Sequence, residues 1–172
     1  MNIETIQVVP FARGIVADYL NTGIDVQYDL EFFDTPTVQE CTIQGDERLL
    51  RRAVRNLIDN AMRHNGEGCK IALSLDVEPS SMLALTVADN GRGCDTSRIG
   101  ALMAQASTPD ASYDAHGLGL TLVSRISIMH GGYVSFASEP GRGFTATMRI
   151  PVAMPQSEPT RPEQRESQAN VR

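Results

Sequence analysis

Residues 46–65, DERLLRRAVRNLIDNAMRHN, carry the clearest periodicity in the chain. Their apolar residues recur at intervals of three and four, which is the spacing of one face of an α-helix. Asp46 is a residue type that caps helix N-termini, and Gly66 and Gly68 follow the last periodic residue. The sequence therefore predicts a helix over residues 46–64 that is buried on one side. The apolar face of this helix consists of Leu49, Leu50, Ala53, Val54, Leu57, Ile58 and Ala61.

The flanking segments alternate between helical and extended patterns. Helices are predicted over residues 12–21 and from 117 to the glycines at 131 and 132, and strands over 24–32, 41–44, 71–77, 82–88, 133–138 and 144–150. Loops are predicted around Pro36 and over residues 95–116, where small and polar residues show no period. The predicted fold class is an α/β (α+β) two-layer sandwich, with a mixed, mostly antiparallel sheet covered on one face by about three helices.

Length and composition predict one globular domain with a tail. The 172 residues suit a single domain over 1–153, and the proline-rich, charged segment 154–172 predicts a disordered tail. With 41% apolar residues the chain as a whole is not disordered, and a formal charge of −6 disfavours nucleic acid as a main partner. Three cysteines without paired spacing, and no apolar run long enough for a signal peptide or a membrane span, predict a soluble cytoplasmic chain without direct membrane contact. Composition leaves open whether this chain is the cytoplasmic portion of a membrane-anchored protein.

The helix over 46–64 also has a polar stripe. Asn56, Asn60 and His64 stand four residues apart, and Arg63 lies three beyond Asn60, so all four share one side opposite the leucines. Taken alone, this stripe is explained by a solvated face, although a pair of asparagines in mid-helix also invites a functional reading.

Two glycine-containing motifs follow the helix. Asp89-Asn90-Gly91-Arg92-Gly93-Cys94 comes directly after the apolar strand at 82–88, so an acidic side chain at a strand end meets two glycines. The second motif, His116-Gly117-Leu118-Gly119-Leu120, opens a helix whose free backbone N–H groups suit an anion such as phosphate. Each motif alone is weak evidence, because an ordinary turn and a loop-to-helix junction explain them equally well.

Together and in this order, the three motifs resemble the ATP-binding catalytic domain of sensor histidine kinases, in the family shared with type II topoisomerase, Hsp90 and mismatch-repair ATPases. The similarity covers about residues 5–152. RNLIDNAMRHN matches the N-box, DNGRGC the G1 box and HGLGLTLV the G2 box, while the sequence from 130 to 151 is similar to the closing hairpin of the kinase type. The resemblance implies the Bergerat fold and a kinase that binds Mg-ATP.

The resemblance also implies a role for each motif residue. Asn60 would coordinate Mg²⁺ bridging the ATP phosphates, with Asn56 beside it and Arg63 contacting phosphate. His64 stands where an aromatic residue is common, and Asp89 would accept the adenine amino group. Backbone around Gly91 and Gly93 would approach the base, while Gly117, Leu118, Gly119 and Leu120 would cradle the phosphates. The chemistry is consistent, because Mg²⁺ prefers oxygen ligands and a carboxylate suits an exocyclic amine.

The chain departs from the family pattern in several places. Ala115 replaces a glycine common before the G2 motif, the loop over 95–116 lacks a Phe pair, and none of the three histidines is followed by an acidic residue as in a phosphoacceptor motif. The acceptor histidine is therefore expected on dimerisation and phosphotransfer helices outside this chain, with a response regulator as an indirect partner. Among the remaining candidates, Cys94 is interpreted as a small buried hydrophobe and His130 as a helix C-terminal residue.

The sequence leaves other functions open. A self-contained ATPase is disfavoured because Asn56 occupies the position where that branch of the family has a general-base Glu. An anti-sigma-factor-like serine kinase and a non-catalytic, nucleotide-gated binding module remain as alternatives to a histidine kinase.

Overall fold

A computed structural model describes residues 1–23, 27–95, 97, 100–101 and 118–153. The elements that it bounds are β1 (Glu4–Gln7), α1 (Val8–Leu20), β2 (Asp29–Asp34), a 3₁₀ helix (Pro36–Val38), β3 (Thr42–Gly45), α2 (Glu47–His64), β4 (Lys70–Glu78), β5 (Met82–Asp89), α3 (Leu118–Met129), β6 (Tyr133–Ser138) and β7 (Phe144–Pro151). The predicted tail and most of the predicted loop lie outside the described residues.

The strands form one large sheet and one small one. The five-stranded sheet has the order β2-β4-β5-β7-β6, and β1 pairs with β3 in a two-stranded sheet. β2 and β4 are parallel, whereas the other pairs in both sheets are antiparallel. This arrangement confirms the predicted mixed, mostly antiparallel sheet.

The core lies between the large sheet and the helices. Alternate residues of each strand point to one face, and the side chains on that face of β4, β5 and β7 are almost fully buried. They stack in rows across the sheet, as Leu75, Leu85 and Met148 do. Burying a side chain of this size contributes about 1.5–3 kcal/mol, so the rows fix the strand register and the face on which the helices lie.

Helix α2 follows its prediction closely. The side chain of Asp46 accepts a hydrogen bond from the Leu49 N–H (3.2 Å), as expected of an N-cap. The predicted apolar face is buried, except for Leu49, which is partly buried. His130, directly after α3, is also buried: its Nδ1 donates to the Ile126 carbonyl, and its Nε2 accepts from the Asp46 N–H at 3.0 Å. The C-terminus of α3 is therefore joined to the N-terminus of α2.

The structure corrects three predicted segments. Helix α1 begins at Val8 rather than at residue 12, because Pro10 lies in the first turn, where a backbone N–H has no intrahelical partner. β1 has no counterpart among the predicted strands. Ser97, Gly100 and Ala101 are helical, although the sequence predicted a loop there.

Candidate nucleotide-binding site

A cleft opens where the C-terminal half of α2 meets the end of β5. Its walls are formed by two groups of residues. Those predicted from the sequence are Asn60, His64, Asp89, Gly93 and Leu120, and the others are Asn65, Arg92, Cys94 and Phe144. Polar groups thus face apolar Leu120 and Phe144, the combination found in small-molecule pockets.

Asp89 is the acidic group of the cleft and is held by backbone donors. Its Oδ1 accepts hydrogen bonds from the N–H groups of Gly91 (2.9 Å) and Phe144 (3.3 Å). Within the described residues, Oδ2 accepts no hydrogen bond. The carboxylate is therefore fixed by one oxygen and offers the other to a donor entering the cleft.

The loop that follows Asp89 is held by the turn between β6 and β7. The Gly141 N–H donates to the Arg92 carbonyl at 2.7 Å, and the Cys94 N–H donates to Ser138 Oγ at 2.8 Å. Gly93 has a φ of +60°, and a Cβ there would overlap the Glu139 carbonyl oxygen. Gly93 is thus required by contact between two loops, and its predicted approach to a base stays a prediction.

The polar stripe of α2 divides between two surroundings. Asn60 faces the cleft, and its side chain forms no hydrogen bond with any described residue. Asn56 lies one turn earlier; its Nδ2 donates to the Arg52 carbonyl at 2.7 Å, and a Cβ on Gly119 would lie 3.2 Å from its Oδ1. Asn56 and Gly119 therefore form a close contact between α2 and α3.

The two arginines beside the cleft are available for an anion. Arg63 and Arg92 are exposed, line an adjoining depression together with Gly91, and form no ion pair with the residues that the structure describes. Arg63, on α2, is the candidate group for phosphate charge, although the chain as a whole carries −6.

Some predicted site residues cannot be assigned a contact. Gly117 lies outside the described residues, and only the backbone of Leu118, the first residue of α3, is described. Cys94 is partly exposed in the cleft, so its interpretation as a small buried hydrophobe is wrong. Cys69, which lines the adjoining depression, is buried. This burial, and to a smaller extent the nearby Asp89 carboxylate, raises the pKa of the Cys69 thiol.

Sequence reasoning missed Asn65, Arg92 and Phe144 as site residues. Asn65 was detectable as the residue that ends α2, and Arg92 as a member of the motif after Asp89. Phe144 carried no such signal, because its N–H reaches Asp89 across 55 positions of sequence.

Comparison with known proteins shows which family the sequence belongs to. The family described as histidine kinase-, DNA gyrase B- and HSP90-like ATPase matches residues 45–154. The sensor protein BasS of Salmonella typhimurium (strain LT2) is 35% identical over 115 residues, which cover 67% of this chain and 32% of BasS. The sensor histidine kinase YvrG of Bacillus subtilis (strain 168) is 28% identical over 144 residues, covering 81% of this chain and 24% of YvrG.

Solved structures show the same fold. The catalytic domain of the histidine kinase ThkA has a TM-score of 0.73 at 18% identity, covering 88% of this chain and 98% of that domain. Full-length ShkA, crystallised with AMPPNP, has a TM-score of 0.74 at 22% identity, covering 90% of this chain and 32% of ShkA.

The chain belongs to the family of histidine kinase-, DNA gyrase B- and HSP90-like ATPases. Within that family it is an ATP-binding catalytic domain of the sensor histidine kinase type. It spans about a third of the length of BasS and about a quarter of that of YvrG.

Proposed function

We propose that the cleft binds Mg-ATP and that the domain transfers the γ-phosphoryl group to a histidine on a helical acceptor domain outside this chain. The observation that carries the proposal is the geometry of Asp89. Two backbone N–H groups hold Oδ1, and Oδ2 remains available to accept the adenine amino group. An acceptor-only carboxylate recognises an amine and rejects a carbonyl at the same place.

The phosphates would lie toward α2. The carboxamide oxygen of Asn60, which has no hydrogen-bond partner among the described residues, suits Mg²⁺, because this ion commonly takes one or two protein ligands together with phosphate oxygens and water. When bound, the ion would neutralise charge on the phosphates. Arg63 would add a fixed positive charge, and the N-terminal N–H groups of α3 would contribute partial positive charge.

Transfer is favoured over hydrolysis because the described part of α2 offers no carboxylate to the cleft. Asn56 is a neutral amide that cannot accept the proton of an attacking water. Asp59, the nearest acid on the helix, accepts a hydrogen bond from the Tyr19 hydroxyl of α1, on the side away from the cleft. Phosphoryl transfer depends mainly on positioning and charge stabilisation, so these residues suffice for it.

The acceptor would reside on dimerisation and phosphotransfer helices of a longer parent kinase, with a response regulator receiving the phosphoryl group later. This is consistent with the matched region making up only 32% of the sensor protein BasS and 24% of the sensor histidine kinase YvrG. Those names favour a histidine kinase over a serine kinase or a non-catalytic module. Among the described helices, none has the length and apolar character needed to cross a bilayer. A cytoplasmic location is a separate part of this proposal.

The test uses radiolabelled ATP. The chain alone should remain unlabelled, since none of its three histidines lies in an acceptor motif, whereas a separately purified acceptor domain should gain acid-labile label. The reaction should be slow, because tethering normally raises the effective concentration to about the millimolar range. Acid-stable label on serine would indicate the serine kinase instead, and release of phosphate without transfer would indicate an ATPase.

A further inference from the structure

Asn65 links the helix and the loop that together form the cleft. It is the residue after the last turn of α2, with extended backbone angles (φ −123°, ψ 158°), and it is partly buried. Its Nδ2 donates to the Ala61 carbonyl at 2.8 Å, and its Oδ1 accepts from the Arg92 N–H at 3.2 Å. One carboxamide thus donates to a carbonyl group in the last turn of α2 and accepts a hydrogen bond from the loop after Asp89.

The side chain of Asn65 also packs directly against Gly91. A Cβ built on Gly91 would overlap the Oδ1 and Cγ atoms of Asn65. The loop therefore passes directly against the carboxamide, which requires glycine at position 91. The side chain of Asn65 also lines the cleft next to Asp89.

We propose that Asn65 is a positioning residue for nucleotide binding, which sets the loop bearing Asp89 and Arg92 at a fixed distance from Asn60. The inference rests on the proposed function, since it assigns a role within that site. Only a short side chain with both a donor and an acceptor makes both hydrogen bonds. Aspartate would place an acceptor against the Ala61 carbonyl, and alanine would remove the contact between α2 and the Arg92 N–H, leaving the loop held only from the side of the β6–β7 turn.

The position of the contact predicts which part of the nucleotide is affected. Asn65 touches the loop that follows Asp89, at the end of the cleft proposed for adenine, and it does not belong to the Mg²⁺ site. The loss on substitution should therefore be the same with Mg²⁺ and with EDTA. A substitution at Asn60 should differ by acting only when Mg²⁺ is present.

The experiment measures ADP affinity by calorimetry, below the melting temperature of every variant. Asn65→Ala should raise Kd about tenfold, both in Mg²⁺ and in EDTA, as expected for the loss of about one hydrogen bond of net value. Asn21→Ala is the matched control, because Asn21 is also the asparagine at the C-terminus of a helix, α1, but is exposed and outside the cleft. It should leave Kd unchanged.

A double-mutant cycle separates positioning from general stability. Gly91→Ala should weaken binding strongly in the wild-type background, because the new methyl group displaces the Asn65 carboxamide. In the Asn65→Ala background the methyl group has room, so the double variant should bind no worse than the worse single variant. Asn65→Ser, whose hydroxyl can replace one of the two hydrogen bonds of the carboxamide, should give a smaller loss of ADP affinity, and it replaces the alanine variant if that variant does not fold.

Two results overturn the inference. If Asn65→Ala and Asn65→Ser bind ADP within twofold of wild type, the carboxamide does not position the loop. If the losses of ADP-binding free energy from the substitutions at positions 65 and 91 are additive, the two residues act independently, and Gly91 is required by another contact, such as one with the base. A wild-type chain that binds no ADP would overturn the proposed function and this inference with it.

Discussion

Replacing Asp89 by Asn tests the adenine assignment with little change of volume. In the structure, Oδ1 accepts from the backbone N–H groups of Gly91 and Phe144. The amide oxygen of the new side chain must stay on that side, because the NH₂ group cannot accept those two bonds. The NH₂ group is therefore forced to the position of Oδ2, where it would face the adenine amine donor to donor.

The magnitude follows from one hydrogen bond lost and one donor left unpaired. Such a change costs about 1–3 kcal/mol, so Kd for ATP should rise roughly five- to 150-fold. GTP presents a carbonyl at that place, which the forced NH₂ group can meet. Its affinity should therefore fall much less, or rise, and the wild-type preference for ATP should shrink or reverse.

The assay measures the affinities of ATP and of GTP for the cleft by competition, with calorimetry as the readout. Asp29→Asn is the control, because it removes the same charge from an exposed residue on β2 that pairs with Lys70 outside the cleft. It should leave both affinities unchanged. If Asp89→Asn keeps the wild-type ratio of ATP to GTP affinity, Asp89 is only a turn residue, and the reasoning about the pocket is refuted.

The remaining predictions concern the metal, the tail and the cap of α2. Asn60→Ala should weaken ATP binding in Mg²⁺ but not in EDTA, as measured by calorimetry, because only the metal-bound form loses a ligand. If the variant binds ATP in Mg²⁺ as tightly as wild type, Asn60 is not a ligand of the metal. Deleting residues 154–172 should leave the melting temperature unchanged, whereas a fall of several degrees would show that they pack on the domain. Hydrogen bonds from the backbone N–H groups of Asn2 and Leu49 lower the pKa of Asp46, so its contribution to stability is present above its usual pKa and lost as pH falls through the lowered value. Thermal unfolding between pH 6 and 3 should show a shallower loss for Asp46→Asn than for wild type, and equal slopes would exclude Asp46 as a source of the acid sensitivity.

The sequence by itself determined those features that depend on residues close to each other along the chain. The period of α2, its cap at Asp46 and the apolar alternation of β4 and β7 are written within a few positions of each other, so local sterics and amphipathicity suffice to predict them. The order of the motifs also determined the family. Asn60 and Asp89 are therefore site candidates from the sequence alone, and the structure places both along one cleft.

Only the tertiary structure decided which distant segments meet. β1 pairs with β3 about 40 residues later, and Phe144 reaches Asp89 across 55 residues; both contacts depend on packing of the whole sheet. The partners of Gly91 and Gly93 were decided in the same way, because a glycine shows that space is needed but not what fills it. Asn65 and the turn before β7 fill that space, and those contacts form only when α2 and the hairpin lie on the same sheet.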